Sequence, residues 1–189
     1  MFAPRMSDEE AESTIRGYLL LQELAAECRS LDATGFRGRY GDGFLLHQGE
    51  LEPARRAQRP QPTIVFGKVS GGSLAPGSRR KEVLVFPVRT TGRSPYPSLI
   101  TVGRTKNNDI IIADVAISKF HAFFKEEKGD FYLQDAGSRN GTFLDDSIVP
   151  DKKHGKPVKV SPGAKVRFGA VELKFVRGGD VYDLVSKRS

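Results

Sequence analysis

From residue 82 onward apolar residues come in runs of three to seven, separated by stretches rich in Gly, Pro, Asn, Asp and Ser. That rhythm is too short for helices and predicts strands over 83–89, 99–102, 110–112, 121–125, 131–134, 142–144, 158–160, 164–168 and 171–176. Alternation at Val166/Phe168 and at Val171/Leu173/Phe175 gives these strands one apolar face, which must meet a core. Gly129-Asp130 and Ser161-Pro162-Gly163 suit the tight turns between neighbours. So many short strands within about a hundred residues imply a mainly β domain, either a sandwich or a barrel.

The N-terminal pattern has a different period. Ser7-Asp8-Glu9-Glu10 reads as a capping box, in which the serine hydroxyl takes the amide three residues on and Glu10 reaches back. Ile15, Tyr18, Leu21, Ala25 and Cys28 then recur at helical spacing, Leu20, Leu24 and Leu31 widen the stripe, and Gly35 is placed to end it. One amphipathic helix is predicted, its apolar face packing on residues 36–51 or else docking on a partner or a second copy. Residues 52–81 turn to Pro, Gly, Arg and Ser apart from Ile64-Val65-Phe66, which predicts a flexible linker with at most one extra strand. The expected organisation is a helical segment over 1–51, a linker over 52–81, a β domain over 82–180 and a tail over 181–189.

Composition narrows the function classes. No stretch approaches the roughly 20 apolar residues of a membrane helix, and Tyr18-Leu19-Leu20-Leu21 is too short for a signal-peptide core, so the cytoplasm is expected and no membrane partner is. Cys28 is the single cysteine, which leaves no internal disulfide and no four-thiolate metal site. It lies on the helical stripe with no histidine nearby and reads as a small core residue. The net charge of +7 is uneven: residues 1–59 carry 8 Lys+Arg against 10 Asp+Glu, whereas residues 60–189 carry 22 against 13. The β half therefore carries +9 and favours an anionic partner.

Three polar clusters interrupt the strands: Gly103-Arg104, Ser118-Lys119-Phe120-His121 and Ser138-Arg139-Asn140-Gly141-Thr142. Each falls where a predicted strand meets a loop, the usual place for binding groups on an all-β scaffold. In this order and spacing, with the Asn107-Asn108-Asp109 turn and the glycine-bounded strand 163–169, they resemble the forkhead-associated (FHA) family of phosphothreonine-binding modules. The resemblance runs over about 83–176. It implies an FHA-like β-sandwich of about eleven short strands and a phosphothreonine-containing protein as partner, with a link to a Ser/Thr protein kinase. It also implies that Arg104 and Ser118 bond the phosphate, that Asn140 holds the peptide backbone, and that Lys119 and Arg139 add contacts. Gly103, His121, Gly141 and Thr142 would support the site, His121 by locking the loop that presents Ser118.

The chemistry of these side chains agrees with that implication. A phosphothreonine brings a charge of about −1.5 to −2 and three strong acceptors, so its receptor needs several donors and a fixed cation. Arginine offers a planar fork, lysine a mobile point charge, which makes Arg104 the anchor and Lys119 the auxiliary. Asn140 carries both a carbonyl and an amide for an extended backbone, and Gly141 allows a positive φ. Each residue also has a plainer reading: Arg104 as a surface ion-pair partner, Ser118 as a loop hydroxyl, Asn140-Gly141 as a hairpin turn.

Other functions fit less well. Ser118, His121 and Asp135 could be recruited as a triad, but no nucleophile elbow is present. His47, His121 and His154 lack metal-ligand spacing, and the glycine run at 72–77 continues Ser78-Arg79 without a phosphate-loop lysine, so no metal or cofactor is expected. Nucleic acid is the stronger rival because of the basic half, yet tryptophan is absent and the lysines are not grouped with aromatic residues. A phosphate-independent scaffold on the same fold is the remaining alternative. Departures from the family pattern are Asp145-Asp146, where a glycine turn is common, and a longer charged loop over 149–157.

Overall fold

The computed structural model describes residues 18–49, 51 and 82–186. The capping box at Ser7, the early stripe residue Ile15, the linker 52–81 with its Ile64-Val65-Phe66 run and the glycine run at 72–77 lie outside the described residues.

The chain folds in the order β1 (Leu19–Leu20), α1 (Leu21–Glu27), α2 (Ala33–Tyr40), β2 (Gly43–Gln48), β3 (Val83–Pro87), β4 (Ile100–Gly103), β5 (Ile110–Ile111) and β6 (Ala122–Glu127). It continues with β7 (Asp130–Asp135), β8 (Thr142–Leu144), β9 (Ser147–Ile148), β10 (Val158–Val160), β11 (Lys165–Phe168), β12 (Val171–Arg177) and α3 (Gly178–Ser186). Seven strands form one sheet in the order β1-β3-β2-β12-β11-β8-β9, and five form the other in the order β10-β7-β6-β4-β5. All nine predicted strands are present, with ends shifted by a few residues. Val88 and Arg89 fall outside β3, which ends at Pro87, although the Val88 N–H still donates to the Gly43 carbonyl at 2.7 Å.

The core lies between the sheets. Phe86, Val102, Phe124, Leu133, Val166, Phe168 and Phe175 are sealed from solvent within it, and the alternation of β11 and β12 delivers Val166, Phe168, Val171, Leu173 and Phe175 to this side. A second core covers the outer face of the seven-stranded sheet. There Phe44, Val85 and Val176 meet Leu21, Leu24, Cys28, Phe36, Tyr40, Val181 and Val185 from the helices.

Three expectations need correction here. The single N-terminal helix is broken: Leu19 and Leu20 pair with Val85 and Leu84 as an edge strand, α1 ends in a short 3-10 turn at Cys28–Ser30, and Leu31 is extended. Gly35 does not terminate a helix but lies inside α2, which begins where the Asp32 carboxylate accepts the Gly35 N–H at 2.7 Å. A local N-cap there outweighs continuation of the apolar stripe. Secondly, residues 43–48, expected within the N-terminal helical segment, form the strand β2, paired with β3 on one side and β12 on the other. Buried on both faces through Phe44 and Leu45, it shows a continuous apolar run instead of alternation. Thirdly, the expected boundary at 180 cuts through α3, whose Val181 and Val185 are buried and whose Tyr182 hydroxyl donates to the Leu31 carbonyl at 3.2 Å. The β domain expected over 82–180 thus takes in residues from both flanks.

Candidate functional site

The loops at one end of the five-stranded sheet enclose a cleft of about 330 Å³ lined by Arg104, Ser118, Lys119, Phe120, Arg139 and Asn140, with Val115 to Ile117 beneath. All five residues expected to contact a ligand are thus brought together, from three loops separated by up to 36 positions of sequence, the difference between 140 and 104.

Each is held by its backbone. Arg104 follows β4 and its N–H donates to the Ser118 carbonyl at 3.1 Å, which joins the first loop to the second. The Lys119 carbonyl is fastened by the Asn108 amide at 2.8 Å and the Thr105 hydroxyl at 2.8 Å. Gly103 lies under that carbonyl so closely that a Cβ there would stand 2.9 Å from the Lys119 carbonyl carbon and 2.7 Å from Asn108 Nδ2. Glycine is required for that approach. The Ser118 hydroxyl oxygen accepts the Arg139 N–H at 3.1 Å, joining the second loop to the third and leaving its own proton for another acceptor. Asn140, which lines the cleft, donates from Nδ2 to the Ala116 carbonyl at 2.8 Å, a bond that uses one amide N–H and not Oδ1.

His121 sits behind these loops with its side chain sealed from solvent. The Ser118 N–H donates to its Nδ1 at 3.0 Å, so Nδ1 is unprotonated and Nε2 carries the proton, which meets the Gly141 carbonyl at 3.1 Å. The ring stands edge-on to Phe168, 5.6 Å between centroids. Burial pushes its pKa below the usual histidine range, while the Gly141 hydrogen bond and the nearby Asp135 charge pull it partly back. The triad geometry is absent: both ring nitrogens are spent on backbone, and Asp135 is engaged elsewhere. Its carboxylate accepts from the Gly137 and Ser138 amides, the Ser138 hydroxyl and the Thr142 hydroxyl, the last at 2.6 Å. Thr142 thereby ties β8 to the third loop, and Gly141 adopts φ 76°, where a side chain would be strained. His47 and His154 are bonded separately, to the Glu172 carbonyl and to Asp151, so the three histidines do not converge.

Supporting residues that sequence reasoning left without a role are now visible. Asn108 clamps the Lys119 carbonyl, and Asp109, buried, ties Thr91 to Thr101 through four hydrogen bonds from their amides and hydroxyls. Gly169, at φ 56°, passes so near the Ala116 carbonyl and Asn140 Cβ that a Cβ would be 2.7 Å and 3.2 Å from them. The Asn107-Asn108-Asp109 turn and the Gly169 turn were visible as landmarks, but their partners are distant in sequence.

The FHA domain pattern matches residues 100–169, the stretch that carries the whole cleft. The glycogen accumulation regulator GarA of Mycolicibacterium smegmatis is 33% identical over 131 residues, which span 67% of this chain and 72% of that protein. The chain belongs to the FHA-domain family. An ABC transporter ATP-binding/permease protein of Mycobacterium tuberculosis is 30% identical over 63% of the chain, and an oxoglutarate dehydrogenase inhibitor of Corynebacterium diphtheriae is 33% identical over 41%. The chain spans only 13% of the former and 50% of the latter. Among the described residues no helix is long and apolar enough to cross a membrane.

Proposed function

We propose that this FHA-domain protein is a phosphothreonine reader, a non-catalytic adaptor that carries Ser/Thr kinase signals by binding phosphorylated segments of other proteins in the cytoplasm. The observation that carries the reading is the charge state of the cleft. Arg104, Lys119 and Arg139 converge on it with no carboxylate among its lining residues and, among the described residues, no ion pair of their own. Several cations elsewhere are paired, as Lys159 is with Asp130 and Lys165 with Asp146, but what sets the cleft apart is that three cations line it together without a carboxylate.

Three unpaired cations around a free hydroxyl proton suit a dianionic group with several acceptors better than a neutral or singly charged one. In this role Arg104 grips the phosphate, Ser118 donates its hydroxyl, Lys119 and Arg139 complete the charge, and Asn140 Oδ1 takes a peptide N–H beside the phosphothreonine. Gly103, His121, Gly141 and Thr142 keep the loops in place. The reading unit is proposed to be the sandwich with its helical layer, residues 18–49 and 82–186, with the intervening residues as its connection.

The test is a phosphothreonine peptide library screened against the full chain, followed by calorimetric titration of the selected peptides with and without phosphate. Binding should vanish on dephosphorylation. Equal affinity for the two forms would instead favour a phosphate-independent scaffold.

A further inference from the structure

Beside its charge the cleft has an aromatic side. Phe120 lines it next to Arg104, Ser118 and Lys119, and its ring stacks on Tyr96 with centroids 5.8 Å apart and planes 19° from parallel. Phe120 also stacks on the buried Phe123 at 6.3 Å, and Lys152 Nζ lies 4.9 Å from the Phe123 centroid. Tyr96 is 49% exposed, one of four exposed large apolar side chains among the described residues.

Backbone bonds hold this wall in position. The Leu99 N–H donates to the Tyr96 carbonyl at 3.1 Å, and the Tyr96 N–H donates to Ser94 Oγ at 3.2 Å. Phe120 follows Lys119, whose carbonyl is clamped by Asn108 and Thr105. A ring pair fixed before the ligand arrives loses little freedom on binding, which is the condition for it to contribute to affinity.

We infer that Phe120 and Tyr96 form a specificity subsite that accepts an apolar side chain, aliphatic or aromatic, flanking the phosphothreonine of the bound peptide. The inference rests on the phosphothreonine reading and adds to it a preference in the ligand. The loop over 116–120 runs from Ala116, which anchors Asn140, past Ser118 to Phe120. A peptide held along that loop at Asn140 and at Ser118 meets the aromatic wall next. The rings offer apolar surface and no hydrogen-bond donor except the tyrosine hydroxyl, so a glycine, with no side chain to bury, or an acidic residue, which needs donors, gains little there.

The experiment uses alanine-based phosphothreonine peptides carrying Leu, Phe, Gly or Asp at one flanking position at a time, titrated into the full chain. At one position Leu or Phe should bind about tenfold more tightly than Gly, about 1.4 kcal/mol. Tyr96→Ala, a change at an exposed loop position, should erase that preference by weakening the Leu and Phe peptides towards the Gly peptide. Phe120→Ala should erase it as well. Phosphate-dependent binding with no apolar preference, with an acidic preference instead, or with a preference that survives Tyr96→Ala overturns the subsite and leaves the phosphothreonine reading standing. If no peptide binds in a phosphate-dependent way, both fall.

Discussion

A methyl group placed on Gly103, the last residue of β4, has nowhere to go. It would stand 2.7 Å from Asn108 Nδ2 and 2.9 Å from the Lys119 carbonyl carbon, where ordinary contact begins at 3.4 Å. Its nearest neighbour is the Lys119 carbonyl oxygen, backbone that cannot rotate away as a side-chain tip could. In Gly103→Ala that carbonyl must therefore move by more than about half an ångström, against the close packing of the interior. The carbonyl holds two hydrogen bonds at 2.8 Å, from Asn108 and from Thr105, and losing both costs about 2 kcal/mol at roughly 1 kcal/mol each. Overpacking adds about 1–3 kcal/mol. A total near 3–5 kcal/mol lies below the stability of a typical domain, about 5–15 kcal/mol, so the variant should fold but be weakened. Because the displaced carbonyl belongs to Lys119, between Ser118 and Phe120, phosphopeptide affinity should fall with stability. Urea denaturation followed by circular dichroism measures the first effect, and calorimetry on the folded variant the second. A Gly103→Ala protein within about 0.5 kcal/mol of the parent, with unchanged peptide affinity, would refute the argument that this close approach positions the loop.

Arg104→Ala should leave stability near the parent value, because its guanidinium has no ion-pair partner among the described residues, yet abolish measurable peptide binding; the loss of a charged hydrogen-bonding partner is worth about 2–5 kcal/mol. Arg104→Lys should restore binding only in part, since a point charge lacks the bidentate fork, and full restoration in titrations would contradict that role. For His121 the folded pKa lies below 6.5 while the unfolded chain takes a proton near 6.5, so its contribution is complete above pH 6.5 and is lost as pH falls towards the folded value. The slope is at most about 1.4 kcal/mol per pH unit, and subtracting the stability profile of His121→Phe, which should itself cost about 2 kcal/mol for two orphaned backbone groups, isolates it. A chain ending at residue 177 should lose about 3–6 kcal/mol through the buried Val181 and Val185, read as a lower melting temperature; an unchanged one would make α3 dispensable.

The β class and nine strands were legible because period-two alternation and turn residues act between near neighbours. The five residues proposed to contact the ligand were legible only as a family resemblance in spaced polar clusters; nothing local in Arg104 or Asn140 says that they line one cleft. Their meeting depends on β4 and β6 pairing in one sheet and on the loop that leads from β7 to β8 in the other, which the packing of the two sheets decides. The helix boundaries were misread where the same aliphatic stripe fits a helix and a strand, and where the Asp32 cap outweighs it.

The sequence alone determined the class of fold, the excess of positive charge in the β half and the donor types available for an anion, since these follow from residue identity and local period. Tertiary structure alone decided that β2 enters the middle of a sheet beside β3 and β12, that α3 seals a second core, and that Lys119 is clamped by Asn108 over Gly103. Those depend on contacts between residues far apart in the chain, which arise only when both cores are packed at once.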